Sequence, residues 1–423
     1  MQQAPRTTPW RARAATATTA CLLAAAGVSA LLALAMFLPL PGLDYSLMLG
    51  TWGLAVSVLL LLLAAGAAVS SRRRRSRLRL LAAVLSACAL LATGVAGTAQ
   101  LRSAQAAGTP VSWWQATGIG QRGRLPDLEP VFMEDRDSGQ RLQAGVWLPR
   151  HQGTGRVLSR EEVLAVHPQG VPVVVLLHGG GWRTGDRRNP MTKGQATWFA
   201  RQGYLAIALD YPLSLPSLPT WWLAESRAAL GLSWVGSNAG TWGGDAQRLA
   251  LVGDSSGGHL ALEIALRQAL GTMEQVCAEP VPPVRAVSLT YPVADPAGFH
   301  DNPDPIMSPY VAGRAAMYTG GSPRQKPQRY LEISPLVKAR ALREQGLGAQ
   351  VPPVLIVHGE RDHVVPVAGS EQLHQELVRA GARSQLVVVP YADHVFDLNP
   401  GSLPSQQWRH LTLELLRDVG LGL

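Results

Sequence analysis

Charge is scarce in this chain of 423 residues. Asp, Glu, Lys and Arg make up 16% of it, against about 25% in an ordinary soluble domain. With 47% hydrophobic residues, that deficit excludes intrinsic disorder and points to membrane segments. Cysteine is scarce as well. Cys21, Cys88 and Cys277 cannot build a disulfide framework, and no pair has metal-site spacing. Residues 1–107 lack lysine altogether and hold one acid, Asp44, against ten arginines. The rest of the chain carries 28 basic and 28 acidic groups, so the net charge of +9 belongs to the N-terminal region alone. Nucleic acid therefore drops out as the leading partner.

What the N-terminal region does have is long gaps between charges. Arg13 to Asp44 encloses 30 residues, Asp44 to Arg72 encloses 27, and Arg79 to Arg102 encloses 22. A hydrocarbon core about 30 Å thick takes ~20 apolar residues of helix. Each gap can hold one span, at about 18–40, 47–70 and 80–100. The run Leu59 to Leu63 marks the middle one, while Thr93, Gly94, Gly97 and Thr98 dilute the end of the third. A cleaved signal peptide is the rival reading of the first, because Arg6, Arg11 and Arg13 precede it. No ionisable side chain lies inside a span, which argues against a transporter. Cytoplasmic loops collect Lys and Arg. Arg6, Arg11 and Arg13 share the cytoplasmic side with the arginines of 72–79 only if the N-terminus is inside and the chain crosses three times. That predicts a multi-pass membrane protein whose body is extracytoplasmic. If the third run is a soluble helix instead, the body stays in the cytoplasm.

The expected organisation is an anchor over 1–107, a linker over 108–128 and a body over 129–423. In the linker, Trp113 and Trp114 suit either a membrane interface or packing in the body's first turn. Gly118, Gly120 and Gly123 match G-x-G-x-x-G, but no strand precedes them, so the match is chance.

From 129 onward short Val-, Leu-, Ile- and Ala-rich runs alternate with amphipathic stretches. Val131 to Trp147 predicts two antiparallel strands. Val171–Leu177, Tyr204–Leu209, Arg248–Val252, Arg285–Thr290, Pro353–Val357 and Gln385–Val389 are near-continuous apolar runs, as expected of parallel strands buried on both faces. Helices are predicted at Leu223–Ser237, His259–Leu270, Ser370–Ala380 and Gln406–Val419. The fold class is α/β, one mostly parallel eight-stranded sheet with helices on both faces. In such sheets the ligand sits at the carboxyl ends of the strands.

The residues at those ends are chemical. After Val252 comes Gly253-Asp254-Ser255-Ser256-Gly257, a G-x-S-x-G in strand–turn–helix context, where glycines flank a nucleophile on a tight elbow. After Leu177 comes His178-Gly179-Gly180-Gly181-Trp182, whose backbone N–H groups can hold an oxyanion together with that of Ser256. Gly179 and Gly180 are the expected donors, with Gly181 as a substitute for Gly179. After Val357 comes His358-Gly359-Glu360-Arg361-Asp362-His363. Asp362 is the expected acid and Glu360 its rival. After Val389 comes Pro390-Tyr391-Ala392-Asp393-His394, and His394 completes the order Ser, Asp, His. His363 is the competing base, but adjoining Asp362 makes it hard to fold back between that acid and Ser255.

With these motifs, residues 130–420 resemble the alpha/beta-hydrolase esterases and lipases of the hormone-sensitive-lipase-like group, His-Gly-Gly-Gly-Trp branch. Asp210-Tyr211-Pro212-Leu213, Gly244-Asp245-Ala246-Gln247-Arg248-Leu249-Ala250, Tyr318-Thr319-Gly320-Gly321-Ser322-Pro323 and Ser334-Pro335-Leu336 carry the likeness further. The departures are Pro212 where the family usually has Arg, Ser256 where Ala is common, and the proline-rich run Pro212 to Pro219. The resemblance implies a carboxylic ester hydrolase without metal or organic cofactor, acting on a small-molecule or lipid ester. Ser255 attacks the acyl carbonyl, His394 takes its proton, and Asp362 orients the imidazole. The segment 295–344 is the expected cap, and Trp182, Tyr211, Met307 and Tyr310 the expected pocket residues, beside Pro305 and Ile306. The alternatives are an amidase of the kynurenine-formamidase type, an acyltransferase or deacetylase of the cell envelope, and an inactive scaffold on the same fold.

Overall fold

The computed structural model describes residues 17–21, 23–28, 59, 62, 65, 66, 69, 77–121, 123–273 and 280–423. The spans expected at 18–40 and 47–70 lie largely outside these residues. The third apolar run is a helix, α1 (Arg77–Ala106). Its stretch Leu80–Ala106, of mean hydropathy 2.1, is long and apolar enough to cross a membrane, alone in this among the described residues. Leu80, Val84, Leu91 and Val95 are exposed along it.

The segment expected as a linker is tied to the body rather than free. It contains a short helix, α2 (Trp113–Ala116). Gln406 accepts the Ser112 N–H (2.7 Å) and donates to the Ser112 carbonyl (3.0 Å). Asn399 Nδ2 donates to the Ala116 carbonyl, and the Arg124 N–H donates to Thr197 Oγ1. The end of α1 is held in the same way, through Ser103 and Gln407.

The body contains β1 (Val131–Asp135), β2 (Gln140–Trp147), α3 (Arg160–Val166), β3 (Val171–Leu177), α4 (Pro190–Arg201), β4 (Leu205–Leu209), α5 (Ala224–Asn238), β5 (Gly244–Asp254) and α6 (Ser255–Leu270). It continues with β6 (Val284–Thr290), α7 (Pro296–His300), α8 (Ser308–Thr319), α9 (Pro327–Glu332), α10 (Pro335–Glu344), β7 (Val354–Gly359), α11 (Val367–Arg379), β8 (Ser384–Val389) and α12 (Leu403–Asp418). The strands form one sheet in the order β1-β2-β4-β3-β5-β6-β7-β8. The β1–β2 and β2–β4 pairings are antiparallel and all the others parallel. This is the alpha/beta-hydrolase architecture.

Strand periodicity divides the core in two. Val173, Val175, Leu177, Ile207 and Leu251 face the layer of α5, α6 and α11. Val174, Leu176, Ala208 and Val252 face α4 and α12, where Phe199 and Trp408 are buried. Helix starts are built locally. Ser159 and Glu162 form a capping box at α3, and Ser334 and Asp295 cap α10 and α7, each followed by proline. After β3 the chain steps outward to β4 and then returns to the other side of β3 for β5. The carboxyl ends of β3 and β5 therefore flank the point where strand order reverses, the usual crevice for a ligand.

Candidate active site

Ser255 stands at the junction of β5 and α6 with φ of +52°, a left-handed backbone in a residue that bears a side chain. Such a conformation costs of order 1–3 kcal/mol and persists only where its surroundings impose it. Here the helix is pressed against the end of β3. A Cβ on Gly257 would lie 2.0 Å from the Leu177 carbonyl oxygen. Only glycine allows that approach, and it sets the first turn of α6 beside the loop 178–182.

The three residues expected as nucleophile, base and acid come together from three strand ends. Ser255 Oγ lies 3.2 Å from His394 Nε2, and His394 Nδ1 lies 2.7 Å from Asp362 Oδ2. Asp362 is buried, and its Oδ1 accepts the N–H groups of Val364 (2.9 Å) and Val365 (2.7 Å). Burial alone would raise its pKa, but the charge of His394 and hydrogen bonds from His358 and His394 hold it below the ordinary carboxylate value. For His394 the balance runs the opposite way. Burial works against its charged form, yet Asp362, then Asp393 and Asp254, bring its pKa above the usual histidine value.

The two rivals are placed elsewhere. His363 Nδ1 is 2.8 Å from Asp393 Oδ2. Glu360 accepts the Tyr391 N–H at the surface.

The glycine loop after β3 departs from expectation at one position. The Gly179 N–H donates to Asp254 Oδ2 (3.0 Å) and so is not available to a ligand. A buried carboxyl beneath the elbow has claimed it. Burial, and then Asp397, push the Asp254 pKa up to about 8, against the opposing pull of the Gly179 N–H and His394. The substitute, Gly181, remains, alongside Gly180 and the first-turn N–H of Ser256, which has no intrahelical acceptor. Gly180 has φ of +131°, and a Cβ there would lie 1.9 Å from the Thr184 carbonyl oxygen. Its own carbonyl accepts Thr184 Oγ1 (3.0 Å) and Arg314 Nη1 (3.3 Å).

Two expected pocket residues also need correcting. Trp182 and Tyr211 are fully buried. Trp182 stacks on Tyr318 with centroids 4.4 Å apart, and its indole N–H points to His259 Nδ1 (3.3 Å). Tyr211 stacks on His178 and donates to its carbonyl (2.7 Å). Both support the glycine loop from behind rather than line open space, because ring stacking and their polar atoms draw them inward. Met307 and Tyr310 lie in the expected cap segment. Met307 is half-buried against the core, and Tyr310 is exposed under the Arg314 guanidinium. Ile306 is exposed as well. The cap segment reaches the site through Arg314, through Phe299 and Tyr318 on Trp182, and through Asn302, which donates to the carbonyls of His363 and Val364.

Sequence reasoning missed His358, whose Nε2 lies 3.2 Å from Asp362 Oδ2, and Tyr291, whose ring packs 4.3 Å from His394. It also gave no role to Asp393, which accepts the His394 N–H (2.6 Å). Tyr291 immediately follows β6, so reading that strand end like the others would have found it. Among the described residues no group of three or more His, Cys, Asp or Glu could hold a metal ion.

The chain resembles known ester hydrolases in sequence. The chain is 28% identical over 233 residues to the probable carboxylic ester hydrolase LipM of Mycobacterium tuberculosis, covering 54% of this chain and 50% of the relative. Esterase LipC of the same organism is 27% identical over 236 residues, with 55% and 54% covered. The chain thus matches about half the length of these curated relatives. Among solved structures, Thermogutta terrifontis esterase 2 phosphonylated by sarin superposes with a TM-score of 0.53 at 22% identity, covering 70% of this chain and 97% of that one. That likeness shows the fold. The sequence model of the family described as BD-FAE matches residues 165–377, just over half of the chain and the stretch from before β3 into the last turn of α11, so the chain belongs to the BD-FAE family.

Proposed function

We propose that this protein is a membrane-anchored serine hydrolase that cleaves carboxylic esters. The observation that carries the reading is the hydrogen-bonded chain from Ser255 Oγ through His394 to Asp362, on an elbow whose φ is +52°. His394 Nε2 takes the Ser255 proton as Oγ attacks the acyl carbonyl, and Asp362 stabilises the imidazolium that forms. The N–H groups of Gly180, Gly181 and Ser256 receive the oxyanion. The alcohol leaves with the proton from His394. Water, activated by the same imidazole, then releases the acid from the acyl-enzyme. Arg314 has a positioning role in this scheme. Its guanidinium bonds the Gly180 carbonyl, which belongs to the same peptide unit as the Gly181 N–H, and so orients and polarises that donor.

The relatives named as esterases and as a carboxylic ester hydrolase support this choice of substrate class. The anchor rests on the charge pattern of residues 1–107 and on α1. Three spans, with the arginines of 72–79 in the cytoplasm, put the hydrolase body on the extracytoplasmic side. Trp113 and Trp114, both exposed just beyond α1, suit the interface there.

The deciding experiment is labelling with a fluorophosphonate probe together with hydrolysis of p-nitrophenyl esters of graded chain length. Wild type should react in both assays and Ser255→Ala in neither, with the variant still folded. Labelling that persists in Ser255→Ala defeats the assignment. For the topology, protease digestion of intact spheroplasts should remove the body. Protection until the membrane is broken defeats the three-span arrangement.

A further inference from the structure

A cavity lies away from the proposed catalytic residues. It encloses about 210 Å³, and its walls include Trp221, Trp222, Glu225, Glu263, Arg267 and Tyr318. Glu263 and Arg267 sit on α6, eight and twelve residues beyond Ser255, which is roughly 12 and 18 Å of helix rise. The layer formed by Trp182, His259 and Tyr318 separates this space from the elbow, and His259 Nε2 closes it further by bonding the Ile333 carbonyl (2.7 Å).

Two side chains in this wall are unfinished: Arg267, whose buried Nε makes no hydrogen bond among the described residues but lies in ion-pair range of Glu225 (3.4 Å), and Glu263. Glu263 is 1% exposed. Its Oε2 pairs with Lys338 Nζ at 2.8 Å, while its buried Oε1 has no hydrogen-bond partner among the described residues. A buried carboxylate oxygen without a donor is costly, and a charged N–H donor satisfies it best. The remaining walls favour the same kind of ligand. Glu225 and Glu332 also border the space, Arg267 is the single cation among the lining residues, and Trp221, Trp222 and Tyr318 offer aromatic surface. The guanidinium of Arg329 covers one face of Trp221 and Trp182 stacks on one face of Tyr318, so half-exposed Trp222 is the ring most open to a ligand cation, with Tyr318 offering the surface that Trp182 leaves. Size sets the scale of the occupant. A cavity of about 150 Å³ can hold benzene, so this one takes a single ring with a short chain.

We propose that this cavity binds a small primary ammonium carrying one flat apolar ring, with the ammonium donating to Glu263 Oε1 and the ring lying against Trp222 and Tyr318. The site is independent of the esterase reading, since it shares no proposed catalytic group with it.

Calorimetric titration of the full chain in lipid nanodiscs, with empty nanodiscs as blank, tests this. The probes are 2-phenylethylammonium and its neutral counterpart of the same shape, 2-phenylethanol. The amine should bind saturably at one site per chain, at least about tenfold more tightly than the alcohol, as expected of a charge-assisted hydrogen bond. Ser255→Ala should bind it equally well. Glu263→Gln should weaken it by about tenfold or more. Because that change leaves Lys338 buried without its partner, Ser226→Phe provides a second variant. It fills the cavity without touching the ion pair and should abolish binding. No saturation by ~10 mM amine, a range in which even weak millimolar binding would register, overturns the proposal. So does equal affinity for the alcohol, or binding unchanged in Ser226→Phe.

Discussion

Two histidine–aspartate pairs face each other across the loops that follow β7 and β8, and they are built crosswise. Asp362, from the first loop, takes His394 from the second, and Asp393, from the second, takes His363 from the first. Each aspartate is next to the histidine it does not bind through the side chain. The pairs look equivalent on paper, but their surroundings differ. Asp362 receives two backbone N–H groups and a second imidazole, and its pKa falls. Asp393 is pushed the other way by burial, with the nearby Asp362 charge adding to the rise and the His363 hydrogen bond opposing it. Of the two imidazoles, His394 is the one hydrogen-bonded to Ser255. A histidine–carboxylate pair therefore acquires a catalytic bearing only from what its far nitrogen reaches.

The sharpest way to break this comparison is to remove each imidazole. His394→Ala should lower kcat for ester hydrolysis by several orders of magnitude, up to about a millionfold, as loss of a triad histidine does. His363→Ala should cost less than about tenfold, the scale of a supporting contact. A reversal of the two would assign the base to the wrong loop. Removing the carboxylate charges comes next. Asp362→Asn should cost about ten-thousandfold through the wrong tautomer and the lost charge. Asp393→Asn should cost far less, since Asp393 touches His394 only at its backbone N–H. Steady-state kinetics on one chromogenic ester measures all four.

Arg314 gives a smaller effect from outside the pairs. Arg314→Met should lower kcat by about tenfold with little change in KM, because the donor it orients acts on the charge that develops in the transition state. Arg314→Lys should recover part of the loss. An equal fall in catalysis and in thermal stability, with no recovery by lysine, would reduce it to a packing residue.

The smallest effect is on pH. The base works when neutral, so activity should rise with pH through an apparent pKa above the ordinary histidine value of about 6.5. The Asp393 charge contributes to that rise. Asp393→Asn should therefore move the profile to lower pH by a fraction of a unit. A shift to higher pH would contradict the field described for this pair.

Several of these features are legible in the sequence because they obey local rules. The runs that became β3, β5 and β7 are apolar at every position in their centres, which only strands buried on both faces require. The glycines around Ser255 and after His178 mark places where backbone must approach backbone. Trp182 and Tyr211 were misjudged as pocket-lining because an aromatic residue beside a strand end looks the same in sequence whether it faces a ligand or a neighbouring ring. Tyr318, 136 positions after Trp182 in the chain, settled that. The segment 108–128 has a linker's composition, yet its polar groups find partners on Thr197, Asn399 and Gln406.

By itself, then, the sequence determined the sheet, the elbow, the glycine loop and an N-terminal region without charged residues inside its apolar runs, since each follows from side-chain periodicity or from steric need at one position. Tertiary structure alone decided that Asp393 takes His363, and that Asp254 occupies the Gly179 N–H, which leaves Gly180 and Gly181 as the proposed oxyanion donors. It also decided that the chain after α1 lies against the body. These outcomes depend on distances of about 3 Å between residues far apart in the chain, set by how the strand-end loops pack, and no local rule encodes them.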